Sequence, residues 1–197
     1  MEVRALEIAA GHDGFLRGKP DPALLIGAFF VTAAEPRVVK PLGRMLVRFA
    51  PRGRLPLTVA PPLPSVLKAR ARGVDGDRLV LLAIALEEDA GTDVARLFAR
   101  LEDGARLRLW ATDAPEPSPA GIGELVGGAA SAPPFATRVN VIDDSQDLRD
   151  GCKADELVGA GMVVIAPHRS EDSYRVHFLA DDRKNDWTAE LVVKTSG

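Results

Sequence analysis

Three oxygen-bearing side chains occur close together in one loop, where they could bind a cation. They are Asp113, Glu116 and Ser118, and prolines separate them. Carboxylate and hydroxyl oxygens are ligands that hard cations accept in proteins. The loop follows an alternating segment, Arg106–Ala111, whose period of two predicts a strand with one buried face. A strand that leads into a proline-stiffened loop with oxygen ligands is the first place to expect a functional site.

The histidines and the cysteine do not form a recognisable catalytic or metal-binding motif. His177 lies on an alternating strand, which favours a structural role, whereas His12 is adjacent to Asp13 and could join a site there. Cys152 lies beside Lys153 in a polar loop with no histidine nearby in sequence, which predicts an ordinary thiol rather than a nucleophile. No nucleophile elbow, P-loop or His-Glu-x-x-His motif is present, so the sequence favours a protein without enzymatic activity.

Composition and charge are typical of a globular protein and exclude some functional classes. Of 197 residues, 46% are hydrophobic and 27% are charged. The net charge of −3 argues against a general nucleic-acid binder, which needs a basic surface to displace counterions. The local exception is the range 37–78, where basic residues far outnumber acidic ones, and a solvated edge is the simplest interpretation of that segment.

Cysteine content and the absence of targeting segments predict the cellular compartment. The single cysteine, Cys152, cannot form a disulfide within the chain, which fits a reducing environment. The first residues lack the basic and apolar regions of a signal peptide, and no apolar run approaches the ~20 residues of a membrane span. We therefore expect a cytoplasmic protein. Arginine exceeds lysine, and alanine, glycine and proline are abundant, which suggests a bacterial protein from a GC-rich genome.

The elements that must position these residues are about ten short strands and one helix. Turn signals recur at roughly the spacing of an antiparallel β-sandwich, and there is no βαβ alternation or internal repeat. Alternating or continuously apolar segments predict the main strands at 3–10, 23–32, 44–50, 55–59, 78–88, 106–111, 137–142, 162–166, 174–179 and 187–194.

One helix is predicted, over about residues 93–101. Apolar residues recur at helical spacing from Val94 to Leu101. Thr92 is the expected N-cap, since its hydroxyl can accept from a first-turn N–H group. Two further segments are expected to be irregular: a loop at 61–77 with a helical turn starting at Ser65, and an exposed acidic segment at 143–150.

Two loops resemble the calcium-binding loops of C2 domains. Those domains place an Asp upstream of a Gly-x-Ser-Asp-Pro-Tyr segment that leads into a strand, and Gly18-Lys-Pro-Asp-Pro-Ala23 is similar, with Asp13 upstream. The second family pattern, Asp-x-Asp-x-x-Ser-x-x-Asp-Ile-Gly-Glu, aligns without a gap on Asp113–Glu124. The order of strand, helix and strand between the two loops also fits, and the resemblance covers about residues 3–127.

The resemblance implies an antiparallel C2-like β-sandwich of eight to ten strands. It would be a single domain over residues 1–197, with a C-terminal β extension from about residue 128. The resemblance also implies one weakly bound calcium ion, with the ligands Asp13, Asp21, Asp113, Glu116 and Ser118. Pro115 and Gly121 stand where the family has further carboxylates, so the set is too small for the two or three ions of a calcium-driven membrane switch.

The function that these features predict is a non-enzymatic interaction module of the C2 type. It would dock onto a partner protein or onto an anionic membrane surface, and no nucleic-acid partner is expected. At a membrane, about 1 kcal/mol of attraction per basic residue would come from Arg44, Arg48, Arg52 and Arg54. Two alternatives stay open: a structural subunit of a larger assembly, and a metal-assisted hydrolase that uses the same carboxylates.

Overall fold

Strands account for most of the fold. A computed structural model describes residues 1–11, 20–69, 76–102, 107–112, 118–128, 134–143, 146–165 and 171–194. The strands in these ranges are β1 (Glu2–Ala10), β2 (Pro22–Val31), β3 (Val39–Arg48), β4 (Leu57–Val59), β5 (Ser65–Val66), β6 (Arg78–Glu87), β7 (Arg108–Ala111), β8 (Phe135–Asp143), β9 (Gln146–Asp147), β10 (Glu156–Ile165), β11 (Glu171–Leu179) and β12 (Asp186–Lys194). The helices are α1 (Thr92–Arg100), α2 (Ile122–Gly128) and α3 (Leu148–Gly151).

The strands form two antiparallel sheets. Sheet A has the order β11-β12-β1-β4, and β5 also pairs with β1. Sheet B has the order β3-β2-β6-β10-β8-β7, and β9 also pairs with β8. One face of each sheet packs on the other, which confirms the predicted all-β sandwich. The segment after residue 128 supplies strands to both sheets, since β10 lies between β6 and β8, and β12 lies between β1 and β11.

Apolar layers cover both faces of sheet B. Between the sheets, Ile8, Phe178 and Trp187 of sheet A belong to the same apolar cluster as the inward side chains of β2, β6 and β10. On the opposite face of sheet B, the three helices form the cover, with Leu97 in α1 and Ile122 in α2 buried against the sheet. The protein is therefore layered as sheet A, sheet B and helices.

This layering explains why two strands lack alternation. Every residue of β2 is buried, and so is every residue of β6 after its first two. A strand that is buried on both faces needs apolar side chains at successive positions, so its sequence is a continuous apolar run. By contrast, β11 contacts the core with one face only, and its residues alternate between buried and exposed.

Helix α1 occupies the predicted region but is capped differently. Thr92 is the first helical residue, and the N-cap is Gly91, whose φ of 73° suits glycine. The prediction that Thr92 caps the helix is therefore wrong. The first-turn N–H groups of Asp93 and Val94 donate instead to the carboxylate of Asp155, at 2.8 and 3.0 Å. A cap from so distant a residue leaves no local signature in the sequence.

Two other local predictions are wrong, and tertiary contacts explain both. Residues 65 and 66 form the short strand β5, which pairs with Glu2 and Val3 of β1 rather than starting a helical turn. Asp143, expected to be exposed, ends β8 and is only 1% exposed. Among the described residues, none of the helices has the length and apolar character needed to cross a bilayer, and α1, the longest, has nine residues.

Candidate functional site

Calcium binding stays a prediction. Asp13, Asp113 and Glu116 lie outside the described residues, as does His12. The two predicted ligands that the structure describes, Asp21 and Ser118, are both exposed.

The structure does not bring Asp21 and Ser118 together. Asp21 immediately precedes β2, and its backbone carbonyl accepts from the N–H of Glu88 at 2.9 Å. Ser118 lies on the outer side of β7, because nearby Ala120 bridges to Leu109. In the order of sheet B, the strands β6, β10, β8 and β7 separate the two positions. The described ranges also contain no group of three His, Cys, Asp or Glu side chains placed to bind a metal ion.

Two of the four arginines predicted to attract a membrane are engaged inside the molecule. Arg44 donates to the backbone carbonyl of Phe98 at 2.6 Å, lies over the Phe98 ring at 4.5 Å and pairs with Glu102 at 2.8 Å. Arg48 makes two hydrogen bonds to Glu88, at 2.5 and 2.7 Å. These guanidinium groups connect β3 to α1 and to the end of β6. Their charge is largely compensated and contributes little to attraction at a distance.

Three other basic residues of this segment, Arg52, Arg54 and Lys68, keep their charge uncompensated, whereas Arg37 pairs with Glu35 at 3.0 Å. No acidic residue occurs between positions 36 and 74, although nine Arg and Lys residues do. Arg52, Arg54 and Lys68 are exposed, and none forms an ion pair with any residue that the structure describes. Since the whole chain has a net charge of −3, this excess of positive charge is local.

Apolar side chains are exposed beside these cations. Four large apolar residues of the described ranges are exposed, and three of them lie within residues 52–68: Leu63 at 75%, Val66 at 47% and Leu55 at 36%. We call this surface the basic edge, and it consists of Arg52, Arg54, Leu55, Leu63, Val66 and Lys68. An exposed apolar group among uncompensated cations is a feature of interaction surfaces.

Pairing with β1 fixes the position of the basic edge. Strand β4 pairs with Leu6–Ile8 and β5 with Glu2 and Val3, so together they follow the outer side of β1 for about 20 Å. Leu67 continues this attachment, because its N–H donates to the carbonyl of Met1 at 2.9 Å. The prolines of this segment interrupt the pairing and limit the loops that carry Leu55 and Leu63. The prolines are Pro56, Pro61, Pro62 and Pro64.

The buried carboxylates Asp93 and Asp155 were not anticipated as a pair. Oδ1 of Asp155 accepts from the N–H groups of residues 89, 90 and 91, and its Oδ2 accepts from those of residues 93 and 94. Reciprocally, Oδ2 of Asp93 accepts from the N–H groups of residues 153, 154 and 155 at 2.8–3.1 Å. Each carboxylate therefore caps the turn that carries the other.

These carboxylates resemble a catalytic pair in their burial but not in their bonding. Burial alone would raise the pKa of each group, but the backbone hydrogen bonds outweigh it and hold both pKa values below the ordinary value of 3.8. A carboxylate whose oxygens already accept several backbone N–H groups is a poor base and a poor metal ligand. The pair joins two turns of the scaffold and gives no support to hydrolysis.

The described residues also contain a cleft of about 240 Å³ between β8, β10 and the turn that joins β11 to β12. Cys152 lines it, and burial, with Asp93 nearby, raises the pKa of this thiol to about 11. The thiol is therefore protonated at neutral pH, whereas the thiolate is the nucleophilic form. Arg149 closes one side and is held by Asp147 at 2.8 Å and Asp181 at 3.1 Å. Arg149, Asp147 and Asp181 are thus paired with one another rather than directed at a ligand.

His177 is the one histidine within the described ranges, and it has a structural partner. Its Nε2 lies 2.7 Å from Oδ1 of Asp186 on the neighbouring strand β12. His168, like His12, lies outside those ranges.

Comparison of the chain with protein-family models, with curated proteins and with solved structures finds no match. The C2 resemblance therefore depends on the motif residues in the two loops. The basic edge is a different surface from those loops. Sequence reasoning identified its arginines but missed Leu63, Val66 and Lys68, because residues 61–77 were interpreted only as an irregular loop. The absence of acidic residues between positions 36 and 74 is the signal that could have found it.

Proposed function

We propose that the protein is a non-enzymatic interaction module that docks onto an anionic membrane surface through the basic edge. The observation that carries this proposal is the exposure of Leu63, at 75%, on an edge whose cations Arg52, Arg54 and Lys68 have no ion-pair partner among the described residues. An aliphatic side chain can enter the headgroup region while the cations bind phosphate and carboxylate groups around it. Each cation near such a surface contributes about 1 kcal/mol.

The shape of the basic edge favours an extended surface over a small ligand. Its cations lie at both ends of the stretch that follows β1, about 20 Å long, rather than converging on one point. The interrupted strands and their prolines also disfavour a partner that would add a strand to this side of sheet A.

The composition of the basic edge favours lipid over protein. Hot spots of protein interfaces are enriched in aromatic residues and arginine, and lysine is depleted in interfaces, so Arg52 and Arg54 suit either kind of partner. The basic edge has Leu55, Leu63 and Val66 instead of aromatic residues, together with Lys68. An acidic protein surface is the competing partner, and the vesicle experiment decides between the two.

The test is co-sedimentation with vesicles that contain phosphatidylserine and with neutral phosphatidylcholine vesicles. We expect binding to the anionic vesicles only. Arg52→Gln, Arg54→Gln and Lys68→Gln should each weaken it by roughly fivefold, the equivalent of about 1 kcal/mol. Lys153→Gln is the matched control, because it removes an exposed cation that does not belong to the basic edge and whose N–H donates to Asp93, and it should leave binding unchanged.

Two further arms complete the test. Leu63→Ser should reduce binding without a change in net charge, since it removes only the apolar contact. Repeating the assay with calcium and with a chelator tests the predicted ion, and calcium-stimulated binding would support the ligand set of the two loops. If anionic vesicles do not bind the protein in either condition, the membrane proposal is wrong and an acidic protein becomes the partner to seek.

A further inference from the structure

One cation in the cleft between β8, β10 and the turn that joins β11 to β12 has no ionic partner among the described residues. Two arginines line this cleft, and Arg149 is held by Asp147 and Asp181. The other, Arg138, forms no ion pair in the described ranges, where its side chain makes one long hydrogen bond, of 3.5 Å, to the carbonyl of Leu179. Most of the five N–H donors of its guanidinium are therefore available to a ligand.

Strand alternation directs Arg138 and Asn140 into the cleft. The two valines that flank Asn140 are buried against the helices, so Arg138 and Asn140 lie on the opposite face of β8, toward sheet A. Beside them, Trp110 of β7 lies opposite Asn140, and the N–H of Thr112 donates to the carbonyl of Arg138 at 3.1 Å. Arg138, Asn140 and Thr112 are therefore neighbours, and all three line the cleft.

These three residues present donors to the cleft, and we call them the donor group. The oxygen of the Asn140 amide accepts from Nε1 of Trp110 at 3.1 Å and from Nη2 of Arg149 at 3.2 Å, which fixes the orientation of the amide. Its Nδ2 group has no partner among the described residues. The hydroxyl of Thr112 has only a long contact, of 3.5 Å, to the carbonyl of Arg138. A guanidinium, an amide N–H₂ and a hydroxyl thus lie together without an acceptor between them.

The end of β11 forms an apolar wall beside the donor group. Gly161, opposite Arg138 in the ladder, lies so close to β11 that an added Cβ would be 2.3 Å from Cγ1 of Val176. Where β11 ends, Leu179 and Ala180 line the cleft. The volume of about 240 Å³ is below the roughly 300–1,000 Å³ of sites for drug-sized ligands, so the cleft fits a smaller one.

We propose that this cleft binds a short-chain carboxylate, with its oxygens on the donor group and its hydrocarbon part against Leu179 and Ala180. The fork of a guanidinium matches the two oxygens of a carboxylate, and such charge-assisted bonds are the strong ones. Two sources supply this chemistry, a free small carboxylate and the C-terminus of a peptide, and the small volume favours the first. The proposal is independent of the membrane proposal.

The acidic residues of the cleft favour a ligand with a single negative charge. They are Asp147, Asp181, Asp182 and Glu156. The first three pair with Arg149 or Lys184, and Glu156 accepts from Asn185 at 3.0 Å, so these carboxylates are already engaged. Their charge still repels a dianion, such as a phosphate monoester, more strongly than it repels a carboxylate.

The test is an NMR titration of the whole ¹⁵N-labelled chain with butyrate and with butyramide, which has the same carbon chain but no charge. We expect saturable shifts with butyrate only, at residues 110–112, 138–140 and 179–181. Arg138→Gln should weaken butyrate binding by at least about tenfold. Asn140→Asp keeps the acceptor for Trp110 and Arg149 but replaces the donor with a negatively charged oxygen, so it should abolish binding. Arg52→Gln is the matched control, because it removes an unpaired arginine outside the cleft, and it should leave binding unchanged.

A second arm identifies the source of the carboxylate, with an N-acetylated alanine tripeptide whose C-terminus is free or amidated. Tighter binding of the free peptide than of butyrate, lost in Arg138→Gln, would support the carboxylate site and assign it to a peptide C-terminus. The absence of saturable shifts with both carboxylates would overturn the proposal. So would equal shifts with butyramide, tighter binding of inorganic phosphate than of butyrate, or butyrate binding that Arg138→Gln leaves unchanged in a variant whose spectrum shows the native fold.

Discussion

The basic edge and β11, which we call the open edge because no described strand pairs with its outer side, bound the same sheet, and only β1 and β12 lie between β4 and β11. The basic edge offers little regular backbone for strand pairing, because its strands are short and interrupted by prolines. It exposes side chains instead. The open edge presents nine residues of regular backbone, and its exposed side chains already have partners within the sheet, such as Arg175 with Glu7 and His177 with Asp186. One sheet therefore has two differently built edges, one of exposed side chains and one of regular backbone.

The largest expected contrast between the edges is in stability. Phe178, on the buried face of the open edge, is 0% exposed, so Phe178→Ala should lower the free energy of unfolding by about 3–5 kcal/mol. Leu63→Ala on the basic edge should change it by less than about 0.5 kcal/mol, because Leu63 contacts mainly solvent. Urea unfolding measures both. Similar losses for the two variants would mean that the basic edge is part of the core and not a surface for docking.

Both edges depend on one scaffold. A substitution at Asp155 should lower the stability of that scaffold without altering the residues of either edge. Asp155→Asn replaces a charged acceptor of five backbone N–H groups with a neutral amide, and we expect a loss of about 3 kcal/mol or more. Vesicle binding at neutral pH should persist while the variant remains folded. Loss of binding in a folded variant would show that the basic edge is not separable from the scaffold.

The same carboxylates predict acid sensitivity. Because the folded pKa values of Asp93 and Asp155 lie below 3.8, their stabilisation is complete above that pH and is lost as pH falls through the folded values. Urea unfolding of the wild-type chain should show falling stability below about pH 4. Asp155→Asn should flatten this dependence, and an unchanged slope would contradict the assignment.

A smaller effect is expected where β11 approaches sheet B. A Cβ at Gly161 would lie 2.3 Å from Cγ1 of Val176, so Gly161→Ala should push the open edge outward and lower stability by about 1–3 kcal/mol. Adding Val176→Ala should recover part of this loss, since it removes the clashing methyl group. Gly128→Ala is the control, because no described atom beyond its chain neighbours and its own helix backbone lies within 4 Å of its added Cβ. Additive losses at positions 161 and 176 would argue against close contact there.

Salt should affect one edge and not the other, and this is the smallest effect expected for each residue. Raising the ionic strength from about 0.1 M to 1 M shortens the Debye length from about 10 Å to 3 Å. Vesicle binding through Arg52, Arg54 and Lys68 should then weaken, by up to about 1 kcal/mol for each cation. The open edge should keep its structure, because backbone hydrogen bonds supply most of its pairing with β12. Vesicle co-sedimentation that is independent of salt would remove the distinction between the edges.

Periodicity in the sequence was sufficient to predict the fold class. The strands β1, β2, β6, β11 and β12 lie close to their predicted ranges, since each contributes many apolar residues to a core. The short strands β5 and β9 have two residues each, so no period can be detected in them. They form because longer strands lie beside them. The capping of α1 by Asp155 was equally hidden, because the contact joins residues 62 positions apart.

The candidate surface was predictable in part. The excess of arginine after position 36 was visible, but Arg44 and Arg48 could not be separated from Arg52 and Arg54 without the fold. Their partners, Glu102 and Glu88, are distant in sequence, and the sequence does not distinguish them from the other acidic residues of the chain. The exposure of Leu63 was also hidden, because a leucine between prolines is compatible with a core position as well as with a surface one.

The position of β1 in sheet A has a consequence for how the chain folds during its synthesis. Residues 2–10 lie between β4 and β12, and their long partner, β12, comprises residues 186–194. While the chain emerges from the ribosome, β1 therefore has only the three- and two-residue strands β4 and β5 beside it. Sheet A cannot close until almost the entire described chain has been translated, and contacts of such long sequence separation form slowly. A product that stops before Asp186 would leave β1 and β11 without their shared neighbour and would be a substrate for chaperones and proteases.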